Sequence, residues 1–248
     1  MKFAQGQVEK WDGLGYTGAR IAQGRVDHLR EKLEVRKSKG QIVLGSASPR
    51  RRHLMRRLGL KVRVAAAGIN EAAVRGATPE DVTARVAAAK VRALDHSGEI
   101  TVTADTAVVI DGKILGKPRS AEEARAMLER LWGRTHRVIT AIAVARDGRT
   151  CVDVVSTEVT MRHYTSKEIE AYIASGDPFD KAGAYAIQHP GFHPVARIRG
   201  CYQNIVGLPL CHLCKRLEQE GVRIPHLPPG LCRRDLGQEC PVALYPQA

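Results

Sequence analysis

The chain has 248 residues, of which 44% are hydrophobic, enough to bury the core of one large α/β domain. It contains no run of about 18 apolar residues and no apolar secretory signal, which argues against a membrane protein and favours the cytoplasm. The formal net charge of +13 would suit a nucleic-acid-binding protein. However, only 4% of the residues are aromatic, and no nucleic-acid-binding motif is present, which argues against that class.

Composition divides the chain into three segments. Residues 1–40 are polar and rich in glycine and charge, which predicts an N-terminal extension. Residues 41–220 carry the apolar patterns of alternating strands and helices, and we expect them to form the folded domain. Residues 221–248 are rich in proline, glycine and cysteine and are predicted to be a tail, not a second domain.

A strand and a helix with an unusual charge distribution open the domain. The run "QIVLG" at 41–45 predicts a buried strand. In the following "SASPRRRHLMRRLG", Ser48 suits a helix N-cap, Pro49 the first helical position, and Gly59 a left-handed stop. Three arginines then fall in the first turn, where the free N–H groups already carry partial positive charge. This pattern predicts that an anion binds at the start of the helix.

Turn residues and helix caps predict the remaining elements. A second strand is expected at 61–68 and a helix from 78 to about 97. Tight hairpin turns are predicted at Asp111-Gly112 and at Asp147-Gly148. Two further helices are predicted from capping boxes, Ser120 with Glu123 and Thr165 with Glu168. We therefore expect an α/β fold in which helices cover the faces of a mixed sheet.

Several charged residues form a candidate catalytic set. Asp105 interrupts the β-rich run "TVTADTAVV", although an exposed alternate position on the strand would also explain it. Glu71 follows a strand, Lys90 lies in the helix after residue 78, and Lys117 lies in "LGKP". Together with the arginine-bearing helix, they are the groups that chemistry on a polyphosphate requires. Spacing alone leaves open whether they converge.

Three sequence blocks also carry a resemblance to a known family. They are "IVLGSASPRRRHLMRRLGL", "TADTAVVIDGKILGKPRSAEEARAMLERLWGRTHRVITAIAV" and "YIASGDPFDKAGAYAIQHPGF". From about residue 41 to 217 the chain resembles the Maf nucleoside triphosphate pyrophosphatases of the inosine-triphosphatase-like superfamily. The resemblance implies an elongated mixed sheet with a deep cleft, a divalent cation such as Mg²⁺ or Mn²⁺, and a homodimer. The implied reaction converts a nucleoside triphosphate into the monophosphate and pyrophosphate.

The resemblance also implies a role for each residue of the candidate set. Phosphate contacts fall to Ser48, Arg51, Lys90 and Lys117. Glu71 and Asp105 would hold the metal and the attacking water, with Asp105 as the proton acceptor. The catalytic group thus comprises Asp105, Glu71, Lys90 and Lys117. The arginines at the helix start would then face a triphosphate.

Three positions suggest the substrate. Arg50, Thr106 and Gln188 resemble the branch of the family that acts on dTTP and UTP, whereas another branch acts on 7-methyl-GTP. The sequence departs from the family at "YAIQH", where the motif usually reads Tyr-Gly-Ile-Gln-Gly and this chain ends it with His189. The segment "DPFDK" at 177–181 also matches the family, and we expect it to line the cleft.

The cysteines suggest a second, independent hypothesis. Cys211 and Cys214 form a C-x2-C pair, and with Cys232 and Cys240 they would make a structural zinc site. Alternatively, Cys211 and Cys214 pack inward as small hydrophobic residues of a helix over 209–219. A disulfide within the tail is disfavoured in a reducing compartment.

Two hypotheses from other functional classes remain beside the enzyme. A basic nucleic-acid-binding protein would use the arginine-rich segment without catalysis and without any need for Asp105. An interaction module would bind metal or a partner through its cysteine-rich tail and retain only a vestigial cleft. The presence of Asp105, Glu71, Lys90 and Lys117 together argues against the interaction module.

Overall fold

A computed structural model of the protein describes residues 41–94, 98–236 and 240, so the predicted extension 1–40 lies outside the described residues. Seven strands of this part of the chain form one sheet. They are β1 Ile42–Leu44, β2 Val62–Val64, β3 Ile100–Ile110, β4 Lys113–Leu115, β5 Thr135–Arg146, β6 Arg149–Met161 and β7 Val195–Arg199. The strand order is β2-β1-β3-β5-β6-β7, and β4 pairs with β3 beside this path.

The helices connect and cover these strands. The α-helices are α1 Pro49–Arg57, α2 Pro79–Arg92, α3 Ala121–Leu131, α4 Ser166–Ala174, α5 Tyr202–Val206, α6 Leu210–Gln219 and α7 Pro228–Leu236. Three short 3₁₀ helices lie at Glu71–Ala73, Asp177–Asp180 and Ala182–Ala184. None of the helices in the described residues has the length and apolar character that a membrane span requires.

The sheet is mixed, which confirms the predicted α/β fold class. β1 runs parallel to both β2 and β3, whereas β3, β5, β6 and β7 are antiparallel neighbours. Alternation along β5 explains why helices cover both faces, since successive side chains point to opposite sides. Ala141, Ala143 and Ala145 pack with Ala87 and Val91 of α2. Ile142 and Val144 belong to the core that α1, α6 and α7 share with β1 and β3.

Local sequence signals set the turns and most helix starts as predicted. Asp111 and Gly112 have φ of 51° and 71°, and Asp147 and Gly148 have φ of 49° and 77°. Both pairs thus adopt the left-handed conformations that a tight two-residue hairpin requires. The side chain of Ser48 accepts a hydrogen bond from the backbone N–H of Arg51, as an N-cap should.

One of the two predicted capping boxes is complete and the other is not. At the start of α4, Thr165 accepts from the backbone of Glu168, and the Glu168 carboxylate accepts from the backbone of Thr165. At the start of α3, Ser120 caps the backbone of Glu123, but the Glu123 carboxylate accepts from the backbone of Arg119 instead. The Arg119 side chain also donates to this carboxylate, and these bonds hold the carboxylate at Arg119 instead of at the N-cap residue Ser120.

The described part of the predicted tail includes a helix, α7, that packs on the domain. In α7, Leu231 is 1% exposed and belongs to the main hydrophobic core. Asp235 accepts a hydrogen bond from Arg57 of α1 at 2.7 Å and another from Gln203 of α5. The high proline and glycine content of residues 221–248 predicted a tail. The few apolar side chains of this segment are nevertheless enough to bury one face of a short helix.

Candidate active site

A cleft of about 760 Å³ lies between the β1–α1 loop, the middle of β3, the end of β4 and the segment after α4. Every residue that the sequence assigned to catalysis, phosphate binding or substrate choice lines this one cleft. These residues are Ser48, Arg50, Arg51, Glu71, Lys90, Asp105, Thr106, Lys117 and Gln188. Five basic and three acidic side chains lie in its wall, so the cleft favours an anionic ligand.

Asp105 and Glu71 meet at one lysine. Lys90 is buried near the end of α2, and its ammonium lies 2.9 Å from Asp105 Oδ1 and 2.9 Å from Glu71 Oε1. Asp105 lies in the middle of β3, opposite Ala141 of β5, and so interrupts the β-rich run from within the strand. An unpaired carboxylate would be costly at this position in the sheet, and the ion pair with Lys90 offsets part of that cost.

Arg51 fastens the β1–α1 loop to the rest of the cleft wall. Its guanidinium donates to the carbonyl oxygens of Gly207 and Ala104 at 2.8 and 2.9 Å. It also donates to the hydroxyls of Ser46 and Thr106 at 3.2 and 3.0 Å. Four hydrogen bonds to the protein leave one of its five N–H donors for a ligand. Burial lowers the pKa of Arg51, an effect that nearby Asp105 partly offsets.

A second buried lysine lies in the wall formed by residues 177–181, the segment that we expected at the cleft. The ammonium of Lys181 is 2.8 Å from Asp177 Oδ1 and also contacts the carboxylate of Asp180. Asp180 and Lys181 line the cleft, whereas Asp177 supports them from behind. Burial raises the pKa of Asp177, but hydrogen bonds from Lys181 and Tyr172 hold it below the ordinary value.

The three predicted substrate-selecting residues lie in different walls. Thr106 follows Asp105 on β3, and its hydroxyl shares a hydrogen bond of 2.9 Å with Thr140 of β5. Arg50 approaches Asp180 at 3.8 Å, and the side chain of Gln188 contacts the Tyr202 hydroxyl. All three residues therefore line the cleft, and a substrate panel is needed to determine which nucleotide they select.

A buried pair that the sequence patterns do not predict lies behind the cleft. Tyr185 lines the cleft, and its hydroxyl lies 2.8 Å from Nε2 of His136, a β5 residue that is 2% exposed. The other ring nitrogen of His136 has no hydrogen-bond partner among the described residues. Burial lowers the pKa of His136 to about 4, so the ring is neutral at physiological pH. The only sequence signal for His136 was its position in "GRTHRVITAIAV", which is part of a block that resembles the family.

The lowered pKa of His136 predicts a loss of stability in mild acid. The unfolded chain binds a proton at this residue near pH 6.5, whereas the folded chain binds it only near pH 4. Because the unfolded state binds more protons between these values, stability falls as the pH drops through this window, by up to about 3 kcal/mol. Urea unfolding from pH 7 to pH 4 should show this loss in the wild type and a smaller loss in His136→Gln. Equal losses in both proteins would contradict the assignment.

The zinc hypothesis stays a prediction, and the structure shows how the C-x2-C pair is packed. In the part of the chain that the structure describes, no three His, Cys, Asp or Glu side chains are grouped to hold a metal ion. Cys211 and Cys214 point inward from α6 with 6% and 0% exposure, and Cys214 lies in the main core.

The chain is similar to one family of proteins over most of its length. Residues 41–220 match the family model described as Maf-like protein. A dTTP/UTP pyrophosphatase from Thermomicrobium roseum is 48% identical over 82% of this chain and 94% of that protein. Proteins of the same name from Geotalea uraniireducens and Myxococcus xanthus are 44% and 47% identical, over 97% and 94% of their own lengths and 74% of this chain in each case.

Among solved structures, a HAM1 protein from Coxiella burnetii aligns with a TM-score of 0.38 and 16% identity, covering 72% of this chain and 95% of that chain. The family assignment rests on the sequence matches. With the family model matched from residue 41 to residue 220, and with relatives similar over nearly their full lengths, this chain belongs to the Maf-like protein family.

Proposed function

We propose that this protein hydrolyses dTTP and UTP to the nucleoside monophosphate and pyrophosphate. The observation that carries the proposal is the convergence of all nine predicted site residues on one cleft. Relatives that are 44–48% identical over most of their length bear the name dTTP/UTP pyrophosphatase, which supports the same reaction and substrates.

The residues of the cleft fit a divalent cation. Glu71 and Asp105 supply carboxylate oxygens, and Mg²⁺ typically takes one or two carboxylates together with the phosphates of its substrate. Both carboxylates already pair with one cation, the ammonium of Lys90, so they are placed to hold positive charge. A bound Mg²⁺ or Mn²⁺ would neutralise phosphate oxygens and lower the pKa of water.

In the proposed reaction, Asp105 takes a proton from the water that attacks the α-phosphorus. The water oxygen forms a bond to this phosphorus, the bond to the bridging oxygen breaks, and pyrophosphate leaves. Lys90 orients the Asp105 carboxylate through their 2.9 Å contact. Lys117 is exposed at the rim of the cleft, where its charge can stabilise the leaving pyrophosphate.

The start of α1 is the proposed binding site for the outer phosphates. Ser48 and Arg50, at the start of this helix, line the cleft, and a helix N-terminus favours bound anions. Arg51 keeps the loop in this position, and its remaining N–H donor can contact a phosphate oxygen. Arg50, Thr106 and Gln188 are proposed to select the pyrimidine base.

A panel of substrates tests the reaction and the substrate class together. The purified protein is incubated with Mg²⁺ or Mn²⁺ and dTTP, UTP, CTP, GTP, 7-methyl-GTP or ITP, and released pyrophosphate is measured. We expect the fastest turnover with dTTP and UTP and none without added metal. Fastest turnover with 7-methyl-GTP would instead assign the other branch. Release from no nucleotide would overturn the proposal and return the basic surface to the nucleic-acid hypothesis, which predicts steeply salt-dependent binding.

The homodimer that the resemblance implies remains a prediction. Sedimentation velocity of the purified protein distinguishes a monomer from a dimer directly. The dependence of the sedimentation coefficient on protein concentration shows whether a dimer dissociates at the concentrations used for the activity assays.

A further inference from the structure

The inference concerns the turn that carries Gln188, and it rests on the proposed function. Residues 186–189 form a turn in which the backbone N–H of His189 donates to the carbonyl of Ala186 at 3.4 Å. Ile187 and Gln188 are the two central residues of this turn, and both line the cleft. His189 is not among the lining residues, so it closes the turn from behind.

His189 ties this turn to the chain that follows. Its Nδ1 accepts hydrogen bonds from the backbone N–H groups of Gly191 and Phe192 at 3.2 and 2.8 Å. Because Nδ1 accepts both bonds, the ring is the tautomer with its proton on Nε2. A residue without an acceptor at this position would leave both N–H groups unpaired by the side chain.

The other end of the turn is tied to the residue that the His189 ring contacts. The Tyr172 hydroxyl accepts from the backbone N–H of Ala186 at 3.0 Å and donates to Asp177 at 2.8 Å. The His189 ring packs edge-on against Tyr172, with ring centres 4.8 Å apart. Phe192, whose backbone N–H donates to His189, stacks on the Tyr172 ring with the ring centres 4.4 Å apart. Both ends of the turn are therefore held by one cluster, His189, Tyr172 and Phe192.

We propose that His189 is a positioning residue that fixes the turn presenting Gln188 and thereby sets the discrimination between nucleotides. The phosphate-facing groups lie in other walls of the cleft, on α1, α2, β3 and after β4. Loss of the Nδ1 acceptor should consequently weaken recognition of the base while leaving phosphate binding and the chemical step intact. The measurable result is a change in KM and in selectivity without a comparable change in kcat.

Two variants separate the two contacts of His189. His189→Phe keeps a ring against Tyr172 but removes the acceptor, whereas His189→Asn keeps a side-chain acceptor near the position of Nδ1 and removes the ring. We expect His189→Phe to raise KM for UTP about tenfold, with kcat within about twofold, and to lower the ratio of kcat/KM for UTP over CTP about tenfold. His189→Asn should stay within about threefold of the wild-type ratio.

The controls distinguish positioning from a general loss of structure. His193→Ala changes an exposed histidine four residues away and should leave the ratio unchanged. Inhibition by inorganic tripolyphosphate should be the same in all four proteins, because it probes the phosphate-binding walls alone. An unaltered UTP over CTP ratio in His189→Phe, or equal losses of kcat for both nucleotides with a lowered Tm, would overturn the inference. Wild-type protein that hydrolyses no nucleotide would overturn the proposed function itself.

Discussion

Asp105→Asn is expected to lower kcat for UTP by about a thousandfold or more while the protein stays folded. Asparagine keeps the shape of the side chain and can still accept from Lys90, which lies 2.9 Å away in the wild type. It cannot take a proton from water, and general base catalysis contributes about 10² to 10⁴ in rate. Loss of the negative charge would also weaken the proposed cation site. Pyrophosphate release gives kcat, and the thermal midpoint shows whether the fold is retained.

A matched control for this variant lies at the end of the same strand. Asp111 follows β3 in a hairpin turn and pairs with Arg130 and Arg134, outside the cleft lining. Asparagine tolerates the left-handed conformation of this residue, so Asp111→Asn should fold and turn over like the wild type. Near-normal kcat in Asp105→Asn would show that another group accepts the proton.

Arg51→Lys should destabilise the fold by about 3 kcal/mol and lower kcat/KM about a hundredfold. The planar guanidinium reaches two carbonyl oxygens and two hydroxyls at once, a geometry that an ammonium cannot reproduce. The carbonyl oxygens of Ala104 and Gly207 would then lose their donor inside the wall of the cleft. Urea unfolding measures the stability, and pyrophosphate release at a temperature where the variant is folded measures kcat/KM.

The neighbouring Arg52→Lys is the control for that experiment. Arg52 is exposed on α1, and its replacement should change stability by no more than about 0.5 kcal/mol. Equal stability of the Arg51 and Arg52 variants would contradict the fastening role of the Arg51 guanidinium. A large loss of stability with unchanged kcat/KM would separate this structural role from substrate binding.

Local signals made most of the fold predictable from the sequence. Asp-Gly pairs specify a tight turn through backbone conformations that few other residues adopt, and both predicted turns form. Ser48 and Thr165 cap their helices because a short polar side chain can reach the free N–H groups within its own turn. The family resemblance predicted that site residues far apart in the sequence would lie together, and all of them line one cleft.

The partners of individual side chains were beyond such reasoning, because they depend on packing between distant elements. Charge alone suggested that Arg51 faces a ligand, yet its donors mostly bind carbonyls and hydroxyls contributed by β3 and the residue after α5. Lys90 looks like an ordinary surface lysine in sequence, and only the fold shows it buried between two carboxylates. The sequence showed that His189 departs from the family motif, but it did not show that its ring packs with those of Tyr172 and Phe192.

The helix α7 gives this protein a hydrophobic core that extends beyond residue 220, where the match to the family model ends. The family model ends at residue 220, whereas Leu231 is packed among core residues and Asp235 holds Arg57 and Gln203. A protein truncated after residue 220 would expose apolar surface to water and leave the side chains of Arg57 and Gln203 without the carboxylate of Asp235. The match to the family model and the folded core therefore end at different residues, and a protein truncated after residue 220 would need another surface in place of the one that α7 covers.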